Sequence, residues 1–210
     1  MEVFPGLEAF FWNDFQINNC NSYLITGTHR ILIDPGHARL VGHVRAGLAD
    51  KGLRPDDIDV VLVTHAHSDH MEAVAEFRRA AMAMSREEYD FLRKAAGSYA
   101  DSYIPEFFLG EGEIRIGDIG LQVISTPGHT PGSICIYWAD RRALFSGDLV
   151  FSRGVGRTDL PGGGTAELRD SIRKISALDL EYILPGHGEI LSGKKDIETN
   201  FRIIEQFAML

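Results

Sequence analysis

The 210-residue chain contains few cysteines and no long apolar run. Its two cysteines, Cys20 and Cys135, show no C-x-x-C spacing, so we expect no disulfide framework and a reducing, cytoplasmic location. No stretch approaches the roughly eighteen apolar residues that a transmembrane helix requires. The first residues, MEVFPGLEAFFW, lack a basic start followed by a long apolar segment, so no secretory leader is expected. These absences argue against a disulfide scaffold and against a membrane partner.

Positive charge is also scarce. Lysine and arginine number 21 against 30 aspartates and glutamates, which gives a net charge of −9. Binding to a nucleic-acid backbone requires a basic face, and the sequence shows no basic stripe, so no nucleic-acid partner is expected. A small acidic substrate that meets one or two local cations remains compatible with this charge. Apolar residues make up 44% of the chain, which is enough for a sizeable core.

Strand-like and helix-like segments are mixed along the chain. The mixture predicts an α/β fold with two sheets packed face to face and helices outside them. Residues 97–113 read as a loop, but no linker composition marks a boundary, so we expect one domain over residues 1–210. Strands are predicted at 21–26, 30–34, 59–65, 80–84, 119–126, 133–139, 142–148 and 182–188. Helices are predicted at 37–50, 71–80, 85–96, 165–178 and 195–210, the third with an N-terminal capping box of Ser85 and Glu88.

Four of the predicted strands end in side chains that bind metals well. Five of the eight histidines lie at these ends, whereas scattered surface histidines would not collect there. The other three, His29, His37 and His43, show no such context. A single histidine after a strand is usually a polar turn residue, but four such ends in succession do not fit that interpretation. The candidate ligands are His65, His67, Asp69 and His70 in HAHSDH, His129 in PGHT, Asp148 in SGDL and His187 in PGHG.

The candidate ligands offer nitrogen and oxygen atoms but no thiolates. This donor set suits zinc, iron or manganese. Seven ligands are too many for one tetrahedral ion, but they suit two ions that share one carboxylate. We therefore expect two divalent metal ions, zinc first, with iron or manganese as alternatives. Asp34 in IDPGH ends another strand, and we expect it either to contact a ligand or to form a turn.

These motifs resemble those of the metallo-β-lactamase-fold superfamily, with H-x-H-x-D-H followed by His129, Asp148 and His187 in the expected order. The resemblance covers nearly the whole chain and implies an αββα sandwich of two mixed β-sheets flanked by helices. It also implies that His65, His67 and His129 hold one metal, that Asp69, His70 and His187 hold the other, and that Asp148 bridges them. The sequence departs from many relatives at Met71–Glu72, where they carry two glycines. Those glycines are not ligands, so the expected metal set is unchanged while the packing of the next helix is open.

The segment SRGVGRTDLPGG, residues 152–163, resembles the short glyoxalase II-like hydrolases. Its GRTD also resembles the persulfide dioxygenases, and in both groups this loop lies near the mouth of the active site. Arg157 is therefore a candidate for binding a substrate carboxylate through two parallel hydrogen bonds. Pairing of Arg157 with Asp159 or with another acid of the loop is an equally weighted alternative. The glycines of this loop are expected only to make it flexible.

The leading functional hypothesis is a metal-dependent thioester hydrolase of glyoxalase II type, with S-D-lactoylglutathione as a candidate substrate. A hydroxide bridging the two metals would attack the carbonyl carbon, and Asp69 would help to orient it. The alternative is a mononuclear iron persulfide dioxygenase, in which the resemblance implies that His65, His129 and Asp148 hold the iron. A metal-stabilised binding module and a hydrolase of β-lactams or lactones are further alternatives.

Overall fold

The computed structural model describes residues 1–14 and 16–207. Within those residues the chain forms fifteen β-strands and five α-helices. It divides into two compact units, one of residues 1–109 and 115–119 and the other of residues 110–114 and 120–210. Each unit carries a mixed sheet, so the predicted α/β class with two mixed sheets is confirmed. The organisation of residues 1–210 as one domain stays a prediction.

The first unit contains a seven-stranded sheet whose strands lie in sequence order. The pairs from β1 to β4 are antiparallel, and the pairs from β4 to β7 are parallel. β5 lies between β4 and β6 and is fully buried, as expected for an apolar run inside a parallel sheet. Its carboxyl end leads directly into HAHSDH. The strands are β1 (Glu2–Phe4), β2 (Leu7–Phe10), β3 (Ser22–Thr26), β4 (Arg30–Ile33), β5 (Val60–Leu62), β6 (Ala81–Ser85) and β7 (Phe107–Leu109).

The helices of the first unit are shorter than predicted. They are α1 (Gly42–Asp50), α2 (Ser68–Met71) and α3 (Arg86–Ala96). The predicted N-cap of α3 is confirmed, because the Ser85 hydroxyl accepts a hydrogen bond from the backbone of Glu88. The predicted helix at 71–80 is wrong: α2 ends at Met71 and a 3-10 segment, Glu72–Glu76, follows. The Ala73 amide donates to the carbonyl of Gly36, 2.7 Å away, instead of continuing an α-helical ladder.

A six-stranded mixed sheet belongs mainly to the second unit, in the order β15-β14-β11-β10-β9-β8. β11 is buried throughout and pairs parallel with β14. Because parallel strands end at the same edge of a sheet, Asp148 and His187 emerge side by side. A hydrogen bond of 2.8 Å from the Gly186 amide to the Gly147 carbonyl joins the two strand ends. The strands are β8 (Gly112–Ile116), β9 (Ile119–Ser125), β10 (Ile134–Trp138), β11 (Ala143–Gly147), β12 (Val150–Phe151), β13 (Gly154–Val155), β14 (Tyr182–Pro185) and β15 (Leu191–Ser192); β12 and β13 form a separate hairpin.

Two amphipathic helices complete the second unit, α4 (Thr165–Ser176) and α5 (Lys194–Phe207). Both were predicted from their apolar spacing, although the last three residues of the predicted 195–210 helix lie outside the described residues. Their buried faces pack in one apolar cluster with the sheet, through Leu168, Ile172, Ile175, Ile197 and Ile204. Among the residues described here, no helix combines the length and the apolar composition needed to cross a bilayer.

Candidate metal centre

The segment after β5 gathers four of the predicted ligands in the first unit. His65 lies in the turn after the strand, His67 precedes α2, and Asp69 and His70 lie on that helix. The Nε2 atom of His65 lies 3.1 Å from Nδ1 of His67, and the rings of His65 and His70 have centroids 4.0 Å apart. The Nε2 atom of His70 lies 3.9 Å from Oδ2 of Asp69. The structure therefore brings these four side chains together.

A buried carboxylate, Asp34, orients two of these histidines. Its Oδ2 accepts hydrogen bonds from Nδ1 of His70, at 2.9 Å, and from the hydroxyl of Thr64, at 2.7 Å. Because the single hydroxyl proton of Thr64 goes to Asp34, its oxygen accepts from Nδ1 of His65, 3.1 Å away. Both histidines then carry their proton on Nδ1 and present Nε2 as the coordinating nitrogen. Asp34 thus contacts His70, whose role as a metal ligand stays a prediction.

Asp34 also has a strained backbone conformation. Its φ of 51° lies in the left-handed region, which aspartate tolerates better than most residues but which still costs energy. Its amide donates to the carbonyl of Leu62, at 3.0 Å, and its carbonyl accepts from the hydroxyl of Ser22, at 2.6 Å. Residues 34–37 form no turn, so of the two roles expected for Asp34 only the contact with a candidate ligand is present.

The second unit gathers the other three predicted ligands around one carboxylate. Oδ2 of Asp148 lies 3.4 Å from Nε2 of His129, and Oδ1 of Asp148 lies 3.4 Å from Nε2 of His187. Each carboxylate oxygen thus faces a different imidazole, which is an arrangement that suits a carboxylate shared by two cations. Nδ1 of His129 donates to the backbone carbonyl of Arg157, at 2.8 Å, so Nε2 is the nitrogen that faces Asp148.

Arg157 forms a bidentate ion pair with Asp159. Its Nε and Nη2 atoms lie 2.9 and 2.8 Å from the two carboxylate oxygens, and both side chains are exposed. The hydrogen bonds from the guanidinium lower the pKa of Asp159 to about 2. This pairing is the structural role weighed from the sequence, and the substrate role of Arg157 stays a prediction.

Gly156 brings the backbone of the same loop against the ligands. A Cβ at this position would lie 1.8 Å from the carbonyl oxygen of Asp148 and 3.2 Å from Nδ1 of His129. The sequence analysis expected this glycine only to make the loop flexible. The sequence of a glycine-rich loop does not show which of its glycines packs closely against another part of the backbone.

Gly156→Ala should therefore destabilise the fold and weaken metal binding. The added methyl forces the backbone of Asp148 or of the loop to shift, and overpacking of this kind costs about 1–3 kcal/mol. Gly154→Ala is the matched control in the same hairpin, since its Cβ would meet its nearest atoms at 4.0 Å. Thermal unfolding and metal content of the two variants check this expectation. Equal values for both variants would contradict the close-contact role of Gly156.

Comparison with known proteins identifies the family. Residues 17–187 match the profile of the metallo-beta-lactamase superfamily. The chain belongs to the metallo-β-lactamase superfamily. A probable metallo-hydrolase of Methanocaldococcus jannaschii is 35% identical over 188 residues, which span 81% of this chain and 88% of that protein. Hydroxyacylglutathione hydrolase GloC of Haemophilus influenzae is 31% identical over 199 residues, which span 87% and 91% of the two chains. A protein whose crystal structure was solved in a di-iron-bound form is 30% identical, with a TM-score of 0.70 over 89% of this chain and 92% of that one.

These findings make the protein a metallo-hydrolase of the metallo-β-lactamase superfamily. Its structural neighbours are proteins of the metallo-β-lactamase fold, as the sequence motifs predicted. That fold with this set of imidazoles and carboxylates suits a binuclear metal site. The assignment of each ligand to one metal or the other, and the identity of the metals, stay predictions.

Two further residues, not expected from the sequence, contact the segment of the candidate ligands in this metallo-hydrolase. Nδ2 of Asn18 donates to Oδ2 of Asp69, at 2.6 Å. The buried carboxylate of Glu88 accepts from the amide of Ala66, at 2.7 Å, between the first two histidines of HAHSDH. Glu88 was read only as part of a capping box, and Asn18 precedes Asp69 by 51 residues. Neither hydrogen bond could be predicted from the residues adjacent in the sequence.

Neither cysteine of the metallo-hydrolase is suited to act as a nucleophile. Cys20 and Cys135 are both buried, and neither forms a disulfide. Burial raises the pKa of the Cys135 thiol to about 12, so the reactive thiolate is not populated near neutral pH. This argues against a covalent intermediate on Cys135.

Proposed function

We propose that this metallo-hydrolase cleaves thioesters at a binuclear metal site. The observation that carries the proposal is the pair of contacts at Asp148, whose two oxygens face His129 and His187 separately. The similarity to hydroxyacylglutathione hydrolase GloC supports thioesters as the substrate class. Zinc is the first candidate metal, with iron or manganese as alternatives. In this proposal one cation is held by His65, His67 and His129, the other by Asp69, His70 and His187, and Asp148 bridges them.

The chain's own residues would fix the donors and the attacking water. When bound, two divalent cations would lower the pKa of a water molecule and polarise the substrate carbonyl. Asp34 and Thr64 hold His65 and His70 with Nε2 available to a metal. Asn18 fixes the rotation of the Asp69 carboxylate, which would then accept a hydrogen bond from the attacking water and orient it.

The leaving group of a thioester needs little help from the protein. A free thiol has a pKa of about 8.5, so the thiolate leaves without a strong acid beside it. The described residues accordingly need not supply a general acid of raised pKa, and the buried Cys135 takes no part. An oxygen ester of the same acid has a much poorer leaving group. The proposal therefore predicts a preference for the thioester.

Arg157 is proposed to bind a carboxylate of the substrate, such as those of S-D-lactoylglutathione. Arg157→Ala should raise KM about two- to fivefold with kcat unchanged, because exposed ion pairs contribute about 0.2–1 kcal/mol. Asp159→Ala is the paired variant: it removes the present partner of the guanidinium and should lower KM. Steady-state kinetics with S-D-lactoylglutathione measures both. An unchanged KM in Arg157→Ala would leave this residue with its structural role alone.

A mononuclear iron persulfide dioxygenase is the second candidate. The sequence GRTD at 156–159 favours it, together with the two-histidine, one-carboxylate set of His65, His129 and Asp148. The retention of all seven predicted ligands favours the hydrolase instead. The two reactions differ in their metal count and in their need for oxygen.

The deciding experiment joins metal analysis with two activity assays on protein purified without chelators. Two metals per chain with rapid cleavage of S-D-lactoylglutathione, and slower cleavage of the matched oxygen ester, would support the thioesterase. One iron per chain, oxygen uptake with glutathione persulfide and no thioester cleavage would replace it with the dioxygenase. Metal binding without either activity would overturn both candidates and leave a binding module.

The proposed setting is the reducing cytoplasm, with a small-molecule substrate and no nucleic-acid or membrane partner. The two cysteines support this setting because neither is held in a disulfide. The net charge of −9 supports the absence of a nucleic-acid partner. Fractionation of cells that produce the protein, followed by immunoblotting, tests the location.

A further inference from the structure

The hairpin of β12 and β13, with the residues just after it, touches every candidate ligand of the second unit. The ring of Phe151 meets the ring of His187 edge-on, with centroids 5.8 Å apart. The carbonyl of Arg157 accepts the hydrogen bond from Nδ1 of His129. The hairpin position therefore decides where these two imidazoles point.

The same segment is fixed to the third ligand through Gly156. Its amide donates to the carbonyl of Leu149, at 3.2 Å, and its Cα passes against the backbone of Asp148. His129, Asp148 and His187 come from three different strand ends, and this short hairpin is a support common to all three. β12 and β13 have two residues each and form their own two-stranded sheet, so the hairpin depends on contacts with other elements to keep its position.

A side chain of the last helix, α5, makes such contacts. Asn200 on α5 is 3% exposed, and its amide bonds both sides of the hairpin turn. Its Oδ1 accepts from the amide of Arg153, at 2.6 Å, and its Nδ2 donates to the carbonyl of Phe151, at 3.0 Å. Arg153 has a φ of 58°, in the left-handed region that non-glycine residues adopt at an energetic cost. The asparagine amide holds this strained turn in place with one donor and one acceptor.

We propose that Asn200 is a positioning residue that sets the orientation of His129 and His187 toward the metals through the β12–β13 hairpin. The proposal rests on the ligand roles given under Proposed function, but not on the thioester as substrate. Without the amide, the strained turn relaxes, the Phe151 ring leaves His187, and the Arg157 carbonyl shifts from His129. Supports of metal ligands are worth about 10–100-fold in metal affinity or activity.

The test measures Co²⁺ binding to four proteins prepared without metal: wild type, Asn200→Ala, Asn200→Asp and Thr199→Ala. The aspartate keeps an acceptor for Arg153 but turns the donor to Phe151 into a repelling oxygen. Thr199→Ala is the matched control, because its hydroxyl donates to the carbonyl of Lys195 on the same helix. Chelator competition gives the dissociation constant, the visible absorption of bound Co²⁺ reports ligand geometry, and circular dichroism reports folding.

We expect both Asn200 variants to bind Co²⁺ about tenfold more weakly with an altered absorption spectrum, while Thr199→Ala matches the wild type. Folded Asn200 variants with unchanged affinity and spectrum would overturn the proposal. Phe151→Leu decides the case if both Asn200 variants fail to fold, because it removes the ring beside His187 and keeps the backbone carbonyl that Asn200 bonds. An altered spectrum in Phe151→Leu then supports the proposal, and an unchanged one overturns it.

His187→Ala separates this proposal from the ligand assignment on which it rests. Weaker Co²⁺ binding in His187→Ala, beside unchanged binding in Asn200→Ala, would overturn the positioning role alone. Binding equal to wild type in His187→Ala would contradict the ligand assignment itself and the positioning role with it.

Discussion

Asp148→Asn should lower kcat/KM about a thousandfold and reduce the bound metal. Asparagine has nearly the same shape, but it replaces one carboxylate oxygen with an NH₂ group that would face the Nε2 of His129 or His187, where a cation is expected. Both oxygens of Asp148 are used, each 3.4 Å from one imidazole, so neither orientation of the amide preserves the site. The loss of a cation that stabilises developing charge is worth several kcal/mol, and about 4 kcal/mol corresponds to this factor.

Two measurements check this expectation: elemental analysis of the purified variant and kcat/KM with S-D-lactoylglutathione. Asp170→Asn is the control for removal of a single negative charge, because Asp170 is an exposed residue of α4 that pairs with Arg173. The control should keep the wild-type metal content and activity. Normal metal content together with normal turnover in Asp148→Asn would contradict the bridging role.

Asp34→Ala should lower the free energy of unfolding by about 3 kcal/mol and abolish most of the activity. The substitution leaves three buried donors without their acceptor: the amide and hydroxyl of Thr64, and Nδ1 of His70. Breaking a buried, hydrogen-bonded group of this kind costs about 3–5 kcal/mol when one partner is removed. Alanine also tolerates the left-handed conformation of position 34 less well than aspartate does, which adds to the loss.

Asp34→Asn separates the hydrogen bonds from the backbone strain. Asparagine tolerates the left-handed conformation of this position, so the backbone is kept. Its amide can accept at only one of the two oxygen positions, so its NH₂ group faces either the amide of Thr64 or the donors of His70 and the Thr64 hydroxyl, and the orientation of His70 and His65 is weakened. We expect Asp34→Asn to unfold closer to the wild type than Asp34→Ala but to lose about 10–100-fold in kcat/KM. Urea unfolding and steady-state kinetics give the two quantities, and full activity in Asp34→Asn would refute the orienting role.

The sequence was informative where function depends on local order. The predicted ligands lie a few residues after buried apolar runs, and the runs at β5, β9, β11 and β14 form strands whose ends place those side chains within each unit. The contact of Asp34 with His70 could be anticipated for the same reason, because a polar residue that ends a buried strand lies close to the side chains at the neighbouring strand end.

The supports of the ligands could not be predicted, because they depend on contacts between distant segments. Asn200 reaches Phe151 across 49 residues, and Asn18 reaches Asp69 across 51. The expected helix at 71–80 failed for the same reason: its apolar spacing is helical, but the Ala73 amide bonds Gly36, a residue far back in the chain. The spacing of apolar residues predicts which face of a segment is buried. It does not predict which distant carbonyl accepts a hydrogen bond from a backbone amide of that segment.

The hydrogen bonds of the Glu72 carboxylate restrict which substitutions the protein tolerates at positions 37 and 72. Its Oε2 accepts from Nδ1 of His37, at 3.0 Å, and from the amide of Ala38, at 3.1 Å, which ties the turn after β4 to the segment after α2. Glycine at position 72 would leave the imidazole of His37 without that acceptor, so the two positions are coupled in fitness. Relatives that carry glycine at position 72 should therefore carry a residue other than histidine at position 37. An alignment of close relatives would show positions 37 and 72 covarying.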